Sequence, residues 1–229
     1  MRLIKQAFDS RHLKKDIYEI HVSNKQTFKK CLSLSKIHSK VCFLKSTDKK
    51  VFPSARVMEL IEFSGRLANT PKVDYRVSRE DCKIREIPLA SCRWLLHKFF
   101  FRQPATRFRL IRGVRNQDLL IHKYQILKSL KRKYPCRVVM AFKKNGKPLA
   151  FNFVYCKKKT LWLYELMSGR GLISRIAGLE SVLENLKYFA GKISCVKTNV
   201  YGHNLPAIAM FKKLGLSPGR RSFYMLLQK

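Results

Sequence analysis

Glu165 is the acidic residue in an otherwise mostly apolar run, Thr160-Leu161-Trp162-Leu163-Tyr164-Glu165-Leu166-Met167. A carboxylate set among apolar side chains keeps its proton nearer neutral pH than an exposed one, which suits it to act as a general base toward an amine. The residues that follow, Ser168-Gly169-Arg170-Gly171-Leu172-Ile173-Ser174-Arg175-Ile176-Ala177-Gly178, join flexible backbone, two cations and the start of a helix. Free N–H groups and the dipole of a helix start, with arginines beside them, can cradle a pyrophosphate. The same letters also fit a glutamate that faces solvent or pairs with a lysine, followed by a solvated basic turn. Proton donors are available in Tyr164, Tyr201 and Tyr224, and in His203 within the turn Tyr201-Gly202-His203-Asn204, where an imidazole can shuttle a proton. A third group, Arg93-Trp94, Phe99-Phe100-Phe101-Arg102, Arg107-Phe108-Arg109, Arg112 and Arg115, interleaves cations with aromatics. That mixture holds phosphates and stacks bases, although aromatics at this spacing also build cores.

These residues need elements to carry them. From Cys82 the periodicity predicts a strand over 82–87, helices over about 89–101 and 116–134, and a stop at Pro135. Two strands follow, 137–142 and 149–155, joined by Lys144-Asn145-Gly146-Lys147; Asn-Gly between alternating apolar runs is a strong hairpin signal. A strand over 160–167 precedes the basic loop, a helix over about 177–189 and a strand over 193–200. In Asn204-Leu205-Pro206-Ala207-Ile208-Ala209-Met210-Phe211-Lys212-Lys213-Leu214-Gly215-Leu216, Asn204 can cap a helix, Pro206 suits its first turn and Gly215 can end it in the left-handed conformation. Ala207, Ile208, Phe211 and Leu214 fall at helical spacing, and 221–227 reads as a closing strand. Before Cys82 the chain predicts strands near 16–22 and 40–44 and an amphipathic helix over 54–67. That stretch, 1–81, reads as an ordered, lysine-rich appendage (Lys29, Lys30, Lys36, Lys40, Lys45, Lys49, Lys50). The sequence contains no internal repeat and no low-complexity segment.

The ending around Asn204, Pro206-Ala207-Ile208 and Lys213-Leu214-Gly215-Leu216, with the order of elements from Cys82 to Lys229, resembles the GNAT acyl-CoA N-acyltransferase superfamily. The resemblance implies an α+β or α/β fold, a mixed, mostly antiparallel sheet flanked by helices, with 82–229 as the acyltransferase domain. It implies acetyl-CoA or another acyl-CoA as co-substrate. The pantetheine arm would enter a wedge beside the Leu161–Met167 strand, against the backbone of Leu166 and Met167. Ser168, Gly169, Arg170, Gly171, Arg175 and Gly178 would hold the pyrophosphate, and Asn204 and Ala207 would complete the cofactor site. Glu165 sits where relatives often place a general base. Two departures stand out. Arg175 and Gly178 match the family's Arg-x-x-Gly-x-Gly/Ala pattern, but its last place is Glu180, which would bring a carboxylate near the phosphates unless Arg170 and Gly171 take over. Where relatives carry a tyrosine acid this chain has Phe211, leaving Tyr201 and His203, with Tyr164 and Tyr224, as replacements.

The 229 residues carry 49 Lys plus Arg against 14 Asp plus Glu, a formal charge of +35, with no acidic residue after Glu184. Such a chain repels itself unless polyanions offset the charge, so DNA or tRNA is the expected partner and an anionic surface the second. Arg93, Arg102, Arg107, Arg109, Arg112 and Arg115 are the expected nucleic-acid contacts. Seven scattered cysteines without a Cys-x-x-Cys pair, and no clustered histidines, indicate free thiols and no metal site. No long apolar run suggests a membrane span and no leader pattern is evident, so a cytoplasmic location is expected. The leading expectation is an N-acyltransferase acting on an amine on or near a nucleic acid, as in tRNA-acetylating members of the superfamily and phage Mom-like DNA-modification proteins. The alternatives are transfer to a nucleotide-sugar, aminoacyl-tRNA or lipid-linked amine, and a non-catalytic basic nucleic-acid-binding protein of the same fold.

Overall fold

The computed structural model describes residues 3–6, 9, 11, 13, 17–37, 41–52, 57–66, 82–93, 97, 99 and 111–227. Among them, ten strands form one sheet: β1 (Leu3–Lys5), β2 (Ile17–His21), β3 (Val41–Ser46), β4 (Val57–Arg66), β5 (Cys82–Glu86), β6 (Cys136–Lys143), β7 (Pro148–Lys157), β8 (Thr160–Ser168), β9 (Cys195–Tyr201) and β10 (Ser217–Leu227). Four helices flank it: α1 (Lys25–Ile37), α2 (Asn116–Lys133), α3 (Leu172–Phe189) and α4 (Leu205–Lys213). The strand order is β1-β2-β3-β10-β4-β9-β8-β7-β6-β5. Only β2–β3 and β8–β9 pair in parallel, and each of these pairs is bridged by a helix, as a parallel connection requires.

The β6–β7 hairpin forms where Asn-Gly predicts it, with Gly146 at φ 78° and its N–H bonded to the Lys143 carbonyl at 2.9 Å. Helices α3 and α4 cover one face, where Leu179, Val182, Leu186 and Phe211 meet Leu161, Leu163, Val196, Ile61 and Phe63. On the other face, Leu127 of α2 packs with Val138, Met140, Phe151, Phe153 and Met167. The early strands are tied to α2 as well: Ile17, Val41 and Phe43 share a cluster with Ile111 and Leu119.

The expected helix over 54–67 is instead the strand β4. Val57, Leu60 and Ile61 satisfy helical spacing, but Ile61 and Phe63 also alternate with Glu62, and the tertiary structure selects the second period. β4 bonds to β9 over Leu60–Arg66 and to β10 over Val57–Ser64 with one irregularity, so the middle of the strand is paired on both edges and Phe63 is fully buried. The stretch before Cys82 thus contributes four strands to the sheet, one of them between the last two strands of the chain. The expected helix over 89–101 begins as a 3₁₀ turn at Leu89–Ser91 followed by helical Cys92 and Arg93; residues 94–96, 98 and 100–101 lie outside the described ones.

Candidate active site

Pairing between β8 and β9 runs from Thr160–Cys195 to Leu163–Thr198 and stops there, although β8 continues to Ser168 and β9 to Tyr201. The Thr198 hydroxyl donates to the Leu163 carbonyl at 2.8 Å, fully buried, and fixes the point at which the two strands part. Beyond it the sheet opens into the wedge expected from the sequence. On its other edge β8 carries a bulge: Val154 faces Leu163 and Phe153 faces Glu165, so Tyr164 is the extra residue. A bulge re-aims side chains, and here Leu161 and Leu163 point to the α3 face whereas Tyr164 and Glu165 both reach the α2 face. Tyr164 lies edge-on to Phe153 at 6.3 Å and 5.9 Å from the Tyr155 ring.

Glu165 Oε2 meets Lys123 Nζ of α2 at 2.8 Å, with side-chain exposures of 11% and 15%. One position earlier on α2, His122 is buried and its Nε2 lies 2.7 Å from Asp9 Oδ1. Tyr164 keeps 38% of its surface exposed as a residue, yet burial of its phenol, then the charge of Glu165, with Tyr155, Asp9 and Tyr201 adding to it, holds its pKa well above the usual value. The hydroxyl is therefore a weaker acid than a free phenol and is better suited to hydrogen-bonding than to giving up its proton. Tyr201, whose charge also acts on Tyr164, stands at the end of β9 opposite Leu60 and stacks on His203 at 5.6 Å. Asp9, His122 and Lys123 were not expected from the sequence. Asp9 and His122 are 113 positions apart, and only the packing of the early chain on α2 brings them together.

Tyr224 is placed elsewhere, on β10 between β3 and β4 with Lys45 Nζ 5.4 Å from its ring centre. Phe211, at the expected tyrosine position, is a core residue 6.3 Å from Phe63.

The basic loop is shorter than expected, because α3 begins at Leu172 rather than near Ala177. Gly171 caps it at φ 91°, ψ 165° without a side-chain cap bond, a backbone region open in practice only to glycine. The first helical bond runs from the Arg175 N–H to the Gly171 carbonyl at 3.2 Å. The preceding helix-start N–H groups, flanked by exposed Arg170 and Arg175, face outward just past β8. Ser168 and Gly169 lead into this cap, the Gly169 N–H bonding to the Leu149 carbonyl at 2.8 Å. Gly178 is buried two turns along, where a Cβ would sit 3.5 Å from the Cβ of Ser168 and 3.8 Å from that of Ala150. These are ordinary van der Waals distances, so Gly178 packs against the sheet at a place where an alanine would also fit. Glu180 lies about 12 Å along the helix from Leu172 at 1.5 Å per residue, so the expected carboxylate near the phosphates is absent from the helix start. Leu166 and Met167 stand on the open half of β8, Met167 buried toward α2 and Leu166 packed toward α3. Asn204 caps α4 by accepting the Ala207 N–H at 3.4 Å, so these two residues serve the helix.

Of the expected nucleic-acid contacts, Arg93, Arg112 and Arg115 are exposed, Arg115 reaching Asp118 at 3.1 Å. Arg102, Arg107 and Arg109 lie outside the described residues. Among the described residues no three His, Cys, Asp or Glu side chains are grouped to hold a metal ion, and no helix is long and apolar enough to cross a membrane.

No protein-family model matches the chain, and no curated protein does. Among solved structures, a functionally unknown conserved protein from Staphylococcus epidermidis superposes at TM-score 0.64 with 12% identity, over 96% of this chain and 88% of its own. A GCN5-related N-acetyltransferase from Sphaerobacter thermophilus gives 0.57 with 11% identity, over 99% and 76%. A tandem GNAT protein from the clavulanic acid biosynthesis pathway gives 0.56 with 13% identity, over 88% and 69%. At these identities the likeness is one of architecture, and the chain has the GNAT fold.

Proposed function

We propose that this chain is an acyl-CoA-dependent N-acyltransferase, with acetyl-CoA as the simplest donor and an amine on or near a nucleic acid as acceptor. The observation that carries the reading is the β8–β9 wedge with Glu165 turned to its open end by the bulge at Tyr164. The residues present suit the co-substrate: the open half of β8 at Leu166 and Met167 offers backbone to a pantetheine amide, and the α3 start with Arg170, Gly171 and Arg175 suits a pyrophosphate. Acyl-CoA supplies the activated acyl group. Glu165 takes a proton from the acceptor amine and can pass it to the leaving sulfur; Tyr164, whose proton is held tightly by burial and by Glu165, can hydrogen-bond the developing thiolate without giving that proton up. Tyr201, half-buried, and His203, exposed, are further candidates to carry the proton to solvent. The +35 charge, with Arg93, Arg112 and Arg115 exposed on the side of α2, supports a polyanionic acceptor, phosphate contacts giving affinity while the wedge gives chemistry.

The test is calorimetric titration of nuclease-treated protein with acetyl-CoA, followed by labelled acetyl transfer to tRNA and DNA. Saturable binding that weakens in Arg170→Ala is expected. Glu165→Gln is expected to bind acetyl-CoA as before and to lose transfer by about 10²–10⁴-fold. Absence of binding in folded protein overturns the reading and leaves a basic nucleic-acid-binding protein.

A further inference from the structure

Resting on the acyltransferase reading, we propose that Lys123 is a self-acylation site, the chain's own first acceptor amine. An acceptor must come within hydrogen-bond reach of the general base. Lys123 Nζ already does, 2.8 Å from Glu165 Oε2, and both side chains are largely withdrawn from water. α2 holds this amine over the open end of the β8–β9 wedge, where a thioester threaded between the strands would present its carbonyl.

In the step, the ammonium of Lys123 gives a proton to Glu165 and the freed amine attacks the thioester carbonyl of a bound acyl-CoA. The C–N bond forms, the C–S bond breaks, and the CoA thiolate takes up a proton. The products are Nε-acyl-Lys123 and free CoA, with one proton released. The neutral amide no longer neutralises Glu165, so the modified enzyme meets its next amine with an unpaired base. Modification is thus priming as well as self-labelling.

A second lysine–glutamate pair on the same sheet marks what is particular to the first. Lys197 Nζ lies 2.9 Å from Glu62 Oε1, but Lys197 stands in the paired part of β8–β9, opposite Trp162, where the ladder leaves no opening for a thioester.

The experiment follows intact mass and peptide maps of the purified chain incubated with acetyl-CoA, beside the same chain in urea. One acetyl group on Lys123 is expected, appearing at least about tenfold faster than on exposed Lys144 of the hairpin turn, because only the former has an oriented base and carbonyl. Lys197 is expected to lag as well, and the preference vanishes in urea. Lys123→Arg keeps a cation for Glu165 and abolishes the product. Glu165→Gln keeps the amine and abolishes the preference; if that variant does not fold, Glu165→Asp, which withdraws the carboxylate by one methylene, is expected to slow it. Acetylation of Lys123 no faster than of Lys144, in protein that binds acetyl-CoA and acetylates an added amine, overturns self-acylation alone. Failure of the folded chain to bind acetyl-CoA overturns both proposals.

Discussion

Asn152 shows what a single residue contributes here. It sits on β7 fully buried, and among the described residues neither its side-chain oxygen nor its nitrogen has a hydrogen-bond partner. A buried amide without partners costs about 1–3 kcal/mol, and leucine has nearly the same shape. Asn152→Leu is therefore expected to stabilise the fold by about 1–3 kcal/mol, read as a raised urea midpoint at constant slope; an unchanged or lowered midpoint shows that the amide is satisfied in solution. Phe211 makes the complementary case. Restoring a tyrosine there puts a hydroxyl into the cluster around Phe63, at a cost of about 1–3 kcal/mol. Phe211→Tyr is expected to lower stability and leave acetyl transfer no faster. A rise in transfer would place a proton donor on α4.

Elements set where these residues stand. The bulge in β8 is one extra residue, yet it turns Glu165 from the α3 side to the α2 side, and the hydroxyl of Thr198 fixes where the strands separate. The start of α3 depends on Gly171. Its φ of 91° has open space where a Cβ would go, so the cost of Gly171→Ala is one of backbone alone, about 1–3 kcal/mol. That substitution is expected to fray the first turn and weaken acetyl-CoA binding in calorimetry while the urea slope stays constant. Binding equal to the parent would detach the α3 start from the pyrophosphate.

For the molecule as a whole, β4 and β10 form an exchange. β10, from the end of the chain, lies between β3 and β4, and β4, from the early chain, lies between β10 and β9. The boundary proposed at residue 81 marks where the family resemblance begins, while the sheet runs across it. A chain starting at 82 would leave the facing edges of β9 and β10 unpaired, so it is expected to be insoluble or molten by near-UV dichroism. Native dichroism from that fragment would show 82–229 to be an autonomous domain. Global stability also carries a pH signature. Burial pushes the Cys92 thiol up from 9.0 to about 12 and Cys136 up to about 11, while burial, with help from Tyr134, lifts Tyr155 from 10.0 to about 12. Raised values mean that the folded chain holds these protons after the unfolded chain has released them. Their contribution is complete below about pH 9 and is lost as pH climbs toward 11 to 12. The urea midpoint is expected to fall above about pH 9, and less steeply in Cys92→Ala.

Local signals determined much of this protein. Asn-Gly set the hairpin, Asn204 and Gly215 bounded α4, and the apolar run around Glu165 gave β8, because caps, turns and periodicity act over a few residues and are written there. Most of the element order from Cys82 was legible for the same reason, and the fold was then implied by the resemblance of that order and of the Asn204–Leu216 ending to the GNAT superfamily. The glutamate's pairing with a lysine stood among the sequence readings, but not which lysine. Tertiary structure decided the rest. Val57 to Arg66 became a central strand because two strands distant in the chain offered bonds along both its edges. Asp9 reached His122, and Lys123 reached Glu165, across separations that carry no periodicity. Such pairings depend on which surfaces the assembled sheet brings together, and no window along the chain contains that information.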